Sequence, residues 1–325
     1  MDVLSEALST VRVNAAVFFN AEFTAPWGFL APRSADAVAR FAPGVEHIVF
    51  FHLLTEGRAV ARSDGEPDLH LEAGDIIIVP QGDSYSVSNG NPARYRDGGA
   101  ASLERFHAGD LGPERFGGGG ERTTFVCGYF GCERRALRLF LSGLPRMMAV
   151  SIRGDEQGDW LETSIRHLVS EAAAGRPGGR VLLSKMAEVL FVDALRRHMA
   201  SLPEGQVGWL AGARDGVVGA ALAALHRTPD RHWTLPGIAT EVGASRSVLA
   251  ERFHHFLGES PIAYLTRWRM QLAARMLVAD SKPLIQLAMD VGYESEAAFN
   301  RAFKREFGLP PAQYRRQMAE QAAAE

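Results

Sequence analysis

Alternating apolar and polar positions dominate the first 150 residues, in short runs separated by Gly, Pro, Asp and Asn. The clearest runs are "EHIVFFHLL", "GRAVARSDG", "DLHLEAGDIIIVPQG" and "SYSVSNGN". Runs of this length between turn residues predict strands, and their regular spacing indicates an all-β sandwich or barrel. Residues 94–124 are polar and rich in glycine, which predicts a surface loop.

From Asp159 the apolar residues recur with a helical period. In "DWLETSIRHLVSEAAAG", Leu161, Ile165 and Leu168 fall on one face and Gly175 is placed to end the helix. The second helix, in "GGRVLLSKMAEVLFVDALRRHMASLPEG", has an apolar face made of Leu182, Met186, Leu190 and Leu195. Because these faces are more apolar than a free linker requires, we expect them to pair with a second subunit. Packing against their own domain is the alternative.

The C-terminal region contains an internal repeat. The segment "IATEVGASRSVLAERFHHFLGESPIAYL" aligns with "LAMDVGYESEAAFNRAFKREFGLPPAQYR". The matches lie at an offset of 49 and, after one inserted residue, at 50: Ala239 with Ala288, Val242 with Val291, Gly243 with Gly292, Ser245 with Ser295, Phe253 with Phe303, Gly258 with Gly308, Pro261 with Pro311 and Tyr264 with Tyr314. Such a repeat predicts two copies of one structural motif.

Each copy predicts two helices joined by a tight turn. Gly243 and Gly292 can adopt the left-handed backbone that ends the first helix. Ser245 and Ser295 are placed as N-caps of the second helix. The core-facing pairs, four residues apart, are Leu249 with Phe253 and Phe299 with Phe303. This arrangement is a helix-turn-helix, whose second helix enters the major groove of DNA.

One long helix is predicted between the copies, in "PIAYLTRWRMQLAARMLVAD", with Pro261 in its first turn. Its core stripe comprises Leu265, Trp268, Leu272 and Met276, while Arg267, Arg269 and Arg275 lie off the stripe. A rigid helix of this kind can hold the two recognition helices about one DNA turn, roughly 34 Å, apart.

At "LPGIATEVGASRSVLAERF", "YLTRWRMQLAARML" and "IQLAMDVGYESEAAFNRAFKREFGLPPAQYR" the chain resembles the AraC family of transcription regulators, over about residues 220–316. The resemblance implies that Ser247, Ala250 and Glu251 face DNA bases in the first copy. In the second copy it implies this for Ala297, Asn300 and Arg301. The phosphate contacts that it implies are Arg246, Lys304 and Arg305. Arg301 is the best candidate base reader, because it can bond guanine bidentately.

Charge is mildly polarised along the chain, which carries a net −3. From residue 206 onward, 14 Lys and Arg stand against 12 Asp and Glu, whereas the preceding residues have 21 against 26. The excess of positive charge agrees with DNA binding near the C-terminus. No apolar run approaches the length of a membrane span, and the first residues lack a secretory pattern, so we expect a cytoplasmic protein without a membrane partner.

The stretch "GDIIIVPQGDSYSVSN" fits the second cupin motif, G-x5-P-x-G-x2-H-x3-N, at Gly74, Pro80, Gly82 and Asn89. Tyr85 occupies the position of the metal-binding histidine. The similarity implies a cupin-like antiparallel β-barrel, which AraC-like regulators commonly use as an effector domain. A small closed barrel of this type can hold one ligand.

A metal-dependent cupin also needs two His separated by one residue and a nearby Glu. These positions fall at Pro43, Val45 and Phe50, none of which binds metal. His47 and His52 are five residues apart and would face opposite sides of a strand. We therefore expect no metal, no other cofactor and no catalytic residues. The interior is instead expected to bind a small molecule through Tyr85, with Trp27, His52 and Arg33 as further candidates.

The sequence thus predicts a cupin-like barrel in residues 1–150, a helical, dimerising linker in 151–205 and an all-α domain with two helix-turn-helix motifs in 206–325. The expected function is an effector-controlled transcription regulator that binds double-stranded promoter DNA as a homodimer, with RNA polymerase as a partner if it activates. The alternatives are a metal-dependent cupin enzyme fused to a DNA-binding domain, or a regulator that senses oxidation. Oxidation sensing would use Cys127 or Cys132, which a disulfide could join only if the intervening "GYFG" turns.

Overall fold

A computed structural model describes residues 3–9, 13–41, 47–89, 95–97, 114–132 and 144–324. These residues form two compact units. One unit comprises the described parts of 12–134 together with 144–202; the other comprises helix α1 (Val3–Ser9) and the described residues of 203–325. The three predicted domain boundaries stay a prediction. In this division the central helices belong to the same unit as the strands before them.

Two β-sheets build the first unit. In spatial order, the larger sheet contains β11 (Met148–Ser151), β6 (Asp75–Val79), β3 (His47–Glu56), β10 (Arg122–Cys132), β1 (Val13–Thr24) and β9 (Glu114–Gly117). The smaller sheet contains β5 (Leu69–Glu72), β4 (Arg58–Arg62), β7 (Tyr85–Asn89), β2 (Trp27–Ala31) and β8 (Arg96–Asp97). Strand pairs are antiparallel except β1 with β9 and β2 with β8, which are parallel. The predicted β-rich cupin fold is therefore confirmed, with a parallel pairing at one edge of each sheet.

The predicted strands are present, but two features of this region differ from expectation. Helix α2 (Ser34–Phe41) was not predicted. Part of the predicted loop 94–124 forms β8, β9 and the start of β10; residues 94 and 98–113 lie outside the described residues. The polar sequence of β9 does not predict a strand. The strand forms because β1, which is distant in sequence, supplies its backbone hydrogen-bond partners.

Both faces of β3 are buried. Ile48, Phe50 and Leu54 belong to the core cluster that also contains residues of the smaller sheet. Val49, Phe51 and Leu53 alternate with them and are also buried. Alternate residues of a strand point to opposite faces, so the larger sheet is covered on both sides.

Helices α3 (Glu156–Ala173) and α4 (Gly179–Ser201) contact β1, and between them they also contact β10 and β11. Arg153 donates to Glu162 at 2.9 Å, and Arg153 and Arg166 both donate to the carbonyl oxygen of Thr55 at the end of β3. These bonds tie α3 to the larger sheet. Gly175, with φ of 71°, ends α3 as predicted, and Arg176 N–H donates to the Glu171 carbonyl.

Much of the apolar surface of these two helices is buried within this one chain. From the predicted faces, Leu161, Ile165, Leu190 and Leu195 are buried. Leu182, by contrast, is 51% exposed, and its neighbour Leu183 is buried instead. Burial of these residues against the larger sheet favours the alternative, packing against their own domain, and pairing of the helices with a second subunit stays a prediction.

The second unit is helical. Helices α5 (Trp209–Arg214) and α6 (Gly216–Arg227) precede the repeat, whose first copy is α7 (Leu235–Glu241) and α8 (Arg246–Leu257). The connecting helix α9 spans Pro261–Ala279 and begins at an N-cap, Ser260. The second copy is α10 (Leu284–Asp290) and α11 (Glu296–Phe307), followed by α12 (Pro311–Ala324). The predicted repeat and connecting helix are confirmed.

Candidate nucleic-acid interface and barrel interior

The turns of the two helix-turn-helix copies have the same geometry. Gly243 and Gly292 are left-handed, with φ of 66° and 79°. The N–H one residue later donates back to the first helix in each copy, from Ala244 to the Ala239 carbonyl at 2.9 Å and from Tyr293 to the Ala288 carbonyl at 2.8 Å. This pattern ends a helix at a left-handed glycine. It directs the second helix of each copy sharply away from the first.

The recognition helices α8 and α11 then begin at matched caps. Ser245 Oγ accepts from Val248 N–H at 3.2 Å, and Ser295 Oγ accepts from Ala298 N–H at 3.3 Å. The predicted core residues Leu249, Phe253, Phe299 and Phe303 are fully buried. Capping and burial together fix which face of each recognition helix is directed outward.

The outward faces carry the predicted DNA contacts. Arg246, Ser247, Glu251, Ala297, Arg301, Lys304 and Arg305 are exposed, and Ala250 and Asn300 are half-buried. Their contact with DNA stays a prediction. DNA binding requires these side chains to lie on one accessible face, and they do lie on the side of each helix opposite the core.

Basic residues in this unit divide into engaged and free groups. Arg252 pairs with Asp215, Arg267 with Glu259, and Lys282 with Asp290 at 3.2 Å. Within the described part of the chain, no carboxylate pairs with Arg246, Arg301, Lys304 or Arg305. Glu251 likewise has no ion-pair partner there. Because the four cations are not paired with carboxylates, they are available to bind phosphates.

The two outward faces differ in charge. At the offset of 50, Glu251 of the first copy corresponds to Arg301 of the second. His254 and His255 correspond to Lys304 and Arg305, while Arg246 corresponds to Glu296. The outward face of the second recognition helix is therefore the more cationic, which favours phosphate attraction at that face.

Inside the β-unit, Tyr85 and His52 are brought together as a buried hydrogen-bonded pair between the Tyr85 hydroxyl and His52 Nε2. Both side chains are buried, and Nδ1 of His52 has no hydrogen-bond partner among the described residues. Burial lowers the pKa of His52 to about 3 and raises the pKa of Tyr85 well above its usual value. The pair is therefore neutral, with one ring nitrogen left to bind another polar group.

Aromatic rings surround this pair. The ring of His52 lies 5.5 Å from Phe29 and 6.3 Å from Phe125, centroid to centroid. Trp27, another predicted effector contact, packs 5.7 Å from Phe125 and donates to Thr123 Oγ1 at 3.3 Å. The surroundings of the Tyr85–His52 pair are therefore mainly aromatic.

Arg33 differs from the other predicted effector contacts. It is exposed at the start of α2, and its carbonyl accepts from the N–H groups of Asp36 and Ala37. Arg33 is therefore not brought together with Tyr85 in the interior, and its contact with an effector stays a prediction. A charged guanidinium buried there without a carboxylate would carry a large desolvation cost.

The positions at which a metal-dependent cupin carries its further ligands hold Pro43, Val45 and Phe50 in this sequence. Phe50 is in the core, and Pro43 and Val45 lie outside the described residues. His47 hydrogen-bonds to the carbonyl of Pro80 at 2.7 Å, whereas His52 bonds to Tyr85, so the two histidines serve separate surroundings as predicted. Across the described ranges, no group of three His, Cys, Asp or Glu side chains is placed to hold a metal ion.

A disulfide between Cys127 and Cys132 is incompatible with β10. Both residues lie in this one extended strand, so "GYFG" does not turn. At about 3.3 Å per residue, their Cα atoms are roughly 16 Å apart, well beyond the limit of about 7 Å for a disulfide. Burial also raises the pKa of the Cys127 thiol, with Glu114 adding to the rise, which opposes thiolate chemistry.

Sequence reasoning missed a buried polar cluster beside the first copy. Tyr264 Oη accepts from Trp209 Nε1 at 2.9 Å and lies 2.8 Å from Nε2 of His226. The His226 ring stacks on Trp268 with centroids 3.8 Å apart. Burial lowers the pKa of His226 to about 3, so its ring is neutral and can accept the tyrosine hydrogen. The repeat matched Tyr264 with Tyr314, but spacing could not reveal partners 38 and 55 residues away.

Comparisons with known proteins agree with both units. Residues 2–200 match the Cupin family, and residues 238–317 match a helix-turn-helix domain family. An AraC-like transcription regulator of Streptomyces antibioticus is 33% identical over 295 residues, covering 88% of this chain and 95% of that protein. One from Streptomyces lividans is 34% identical over 273 residues, covering 83% and 87%. The RCS-specific activator RclR of Escherichia coli (strain K12) is 26% identical over 316 residues, covering 97% of each.

Among the described residues, none of the helices combines the length and apolar character needed to span a bilayer. The cupin barrel, the repeated helix-turn-helix and the extent of similarity to known regulators lead to one assignment. The chain belongs to the AraC-like family of DNA-binding transcription regulators, with an N-terminal cupin domain and a C-terminal helix-turn-helix domain.

Proposed function

We propose that this regulator binds promoter DNA through both helix-turn-helix copies and is controlled by a small molecule held in the cupin barrel. The observation that carries the DNA-binding half is the second recognition helix. It starts at a satisfied cap, packs its core on Phe299 and Phe303, and presents Arg301, Lys304 and Arg305 without internal ion-pair partners among the described residues.

The side chains on the two outward faces have distinct roles in this proposal. Arg301 reads guanine bidentately and Asn300 reads adenine, while Ala250 and Ala297 contact thymine methyl groups. Ser247 donates or accepts one hydrogen bond at a base edge, and Glu251 accepts from cytosine N4. The phosphate contacts are Arg246, Lys304 and Arg305. The operator is double-stranded DNA with at least two half-sites.

For the effector, support comes from the pair of His52 and Tyr85 inside the aromatic core. An effector hydrogen-bonding to Nδ1 of His52 would satisfy a buried polar atom that lacks a partner among the described residues. Trp27 and the neighbouring phenylalanines supply apolar contact. Control of DNA binding requires the effector to favour one arrangement of the regulator by about 1–3 kcal/mol. The proposal gives the barrel no catalytic residues and no cofactor.

A homodimer is the proposed assembly. Trp160, Val181, Leu182 and Val189 on α3 and α4 are exposed apolar side chains, between 41% and 65% accessible, that the larger sheet leaves uncovered. Burying them against a second subunit removes them from water. Leu182→Glu should convert the dimer to a monomer in light-scattering measurements, whereas an unchanged mass would refute this surface as the interface. If the regulator activates, RNA polymerase is a further partner.

The decisive experiment is selection of bound fragments from the source genome, with and without an extract of small metabolites. A discrete motif with two half-sites about one DNA turn apart per subunit supports the proposal, and a change of occupancy with the extract supports effector control. Binding without sequence preference refutes it. Lys304→Gln should lower the salt dependence of binding by about one counterion, whereas Lys282→Gln, which removes a cation engaged by carboxylates, should not.

Two controls address the alternative functions. Stoichiometric iron, manganese or zinc after purification without chelator would support a metal-dependent cupin enzyme. Peroxide that changes the DNA affinity of the native chain, but not of a Cys127→Ser, Cys132→Ser double variant, would support oxidation sensing.

A further inference from the structure

We propose that Arg269 is a positioning residue that sets the spacing between the two recognition helices. Arg269 lies on the connecting helix α9 and is half-buried. Its Nε donates to the carbonyl of Pro229 at 2.7 Å, and its Nη2 donates to the carbonyl of Arg231 at 2.9 Å. Both carbonyls belong to the loop that leads into the first helix-turn-helix copy.

The same guanidinium contacts the turn of the second copy. Its Cζ atom lies 5.8 Å from the ring centroid of Tyr293, the residue after the left-handed Gly292. A Cβ atom at Gly292 would lie 2.5 Å from Arg269 Nη2 and 2.7 Å from the carbonyl oxygen of Asp230. The turn of the second copy therefore lies directly against the Arg269 guanidinium and against the loop whose carbonyls Arg269 binds.

The loop is in turn fastened to the first copy. Arg231 pairs with Glu241 on α7 at 3.0 Å, and its guanidinium lies 4.1 Å from the ring centroid of Trp233. Thr234 accepts from Gly237 N–H and caps α7. A continuous set of contacts thus runs from α7 through the loop and Arg269 to the turn before α11. The relative placement of the two copies depends on this set as well as on the rigidity of α9.

The chemistry of the contact is specific to arginine. Two carbonyls and an aromatic face surround Arg269, and no carboxylate within the described part of the chain forms an ion pair with it. A planar guanidinium can donate in two directions while it contacts a ring, whereas the ammonium of lysine is a compact charge on a flexible stem. A positive charge without the planar guanidinium would not preserve the two hydrogen bonds and the ring contact of Arg269.

The first copy provides a matched internal control. Gly243 is the equivalent glycine, also left-handed, but a Cβ atom there would have no neighbour within 4 Å. Gly243→Ala and Gly292→Ala therefore impose the same kind of backbone strain. Only Gly292→Ala also displaces Arg269 and the loop carbonyl.

The test measures affinity for DNA duplexes that carry both half-sites, with their separation varied by one and two base pairs, using the full-length protein. It rests on the proposed function, because it requires two half-sites bound by one chain. One added base pair moves the second half-site by about 3.4 Å and rotates it by about 35°, which a rigid pair of recognition helices cannot follow.

We expect the unaltered protein to prefer one separation. In Arg269→Ala, Arg269→Lys and Gly292→Ala the penalty for a shifted half-site should shrink by at least about threefold, with affinity for the best separation reduced. Arg267→Lys, on the same helix, can retain its pair with Glu259 and should keep the original preference, as should Gly243→Ala. If Arg269→Lys loses the separation preference as Arg269→Ala does, then a positive charge at this position is not sufficient, and the role of Arg269 is to position the recognition helices.

Two results would overturn the inference. One is an unchanged separation preference in folded Arg269→Lys or Gly292→Ala protein. The other is an equal loss of preference in Gly243→Ala, which would make backbone strain the cause. If the unaltered protein itself has no preference for two half-sites, the proposed function fails first, so the two failures are distinguishable.

Discussion

The two helix-turn-helix copies share a backbone, matched caps and matched core residues, and they differ at the positions that face outward. Left-handed glycines, back-bonded turns and serine caps recur with matching geometry. The outward positions do not recur: Glu251 corresponds to Arg301, and His254 corresponds to Lys304. A motif can therefore keep its fold through a few backbone requirements while its DNA-facing chemistry changes freely. The second copy is suited to supply affinity from phosphates, and the first contributes fewer attractive charges.

The copies also differ in what supports them. The first packs beside the polar cluster of Trp209, His226 and Tyr264. The second rests on Phe299, Phe303 and Phe307, and the ring of Tyr314 meets Phe303 edge to face and Phe307 at a tilt. Tyr264 and Tyr314 are equivalent in the repeat, and both contact the equivalent Phe253 or Phe303. A hydrogen-bonded polar cluster therefore supports the first copy, and a cluster of aromatic rings supports the second.

The largest expected effect tests this difference in support. Tyr264→Phe removes one hydroxyl and leaves both Trp209 Nε1 and His226 Nε2 without it. At about 1–3 kcal/mol for each of these two unsatisfied buried groups, the free energy of unfolding of this unit should fall by roughly 2–6 kcal/mol. Urea denaturation followed by the fluorescence of Trp209 and Trp268 measures it. An unchanged midpoint would show that water replaces the hydroxyl and that the cluster is not a main support.

The second prediction compares the DNA-facing positions. Arg301→Ala should weaken operator binding by about 1–3 kcal/mol, roughly 5- to 150-fold, because a bidentate base contact and a cation are lost together. Glu251→Ala should change affinity by less than about fivefold, because a lost contact to cytosine and relieved repulsion from phosphates oppose each other. Titration of labelled operator at fixed salt measures both. A larger loss for Glu251→Ala would reverse the proposed ranking of the copies.

Acidification should affect the first copy more than the second. Burial lowers the pKa of His226 from 6.5 to about 3, so the unfolded chain binds a proton that the folded chain does not. Stability is therefore complete above pH 6.5 and is lost as the pH falls from 6.5 towards 3, by roughly 2 kcal/mol at about pH 5. The sequence from residue 280 onward contains no histidine. Hydrogen exchange, corrected for intrinsic rates, should show greater loss of protection in α6 than in α11; equal loss would contradict this.

The smallest predicted effect should be the same in both copies. Ser245→Ala and Ser295→Ala each remove one cap that accepts a single backbone N–H. Each should lower the free energy of unfolding by about 1 kcal/mol. Thermal unfolding of the two variants side by side measures the difference between them. A cap that matters in only one copy would mean that the shared backbone is held by different forces in the two motifs.

The sequence by itself determined the elements whose causes are local. A left-handed glycine, a serine cap and core residues four apart are short-range requirements, so both helix-turn-helix copies and the connecting helix were predictable, as was Gly175 at the end of α3. Strand runs in the cupin region were predictable for the same reason. The inward position of Tyr85 followed from a motif whose spacing fixes the face of its strand.

Only the tertiary structure decided which distant groups meet. The fold places His52 against Tyr85, which is 33 residues away in sequence. It also places Arg269 between a loop that precedes it in sequence and a turn that follows it. It also covered the larger sheet with α3 and α4 and left Arg33 exposed. Periodicity identifies an apolar face but not the surface that will cover it. The cost of burying a polar group falls where a partner from elsewhere in the chain supplies a hydrogen bond, as Tyr85 does for Nε2 of His52.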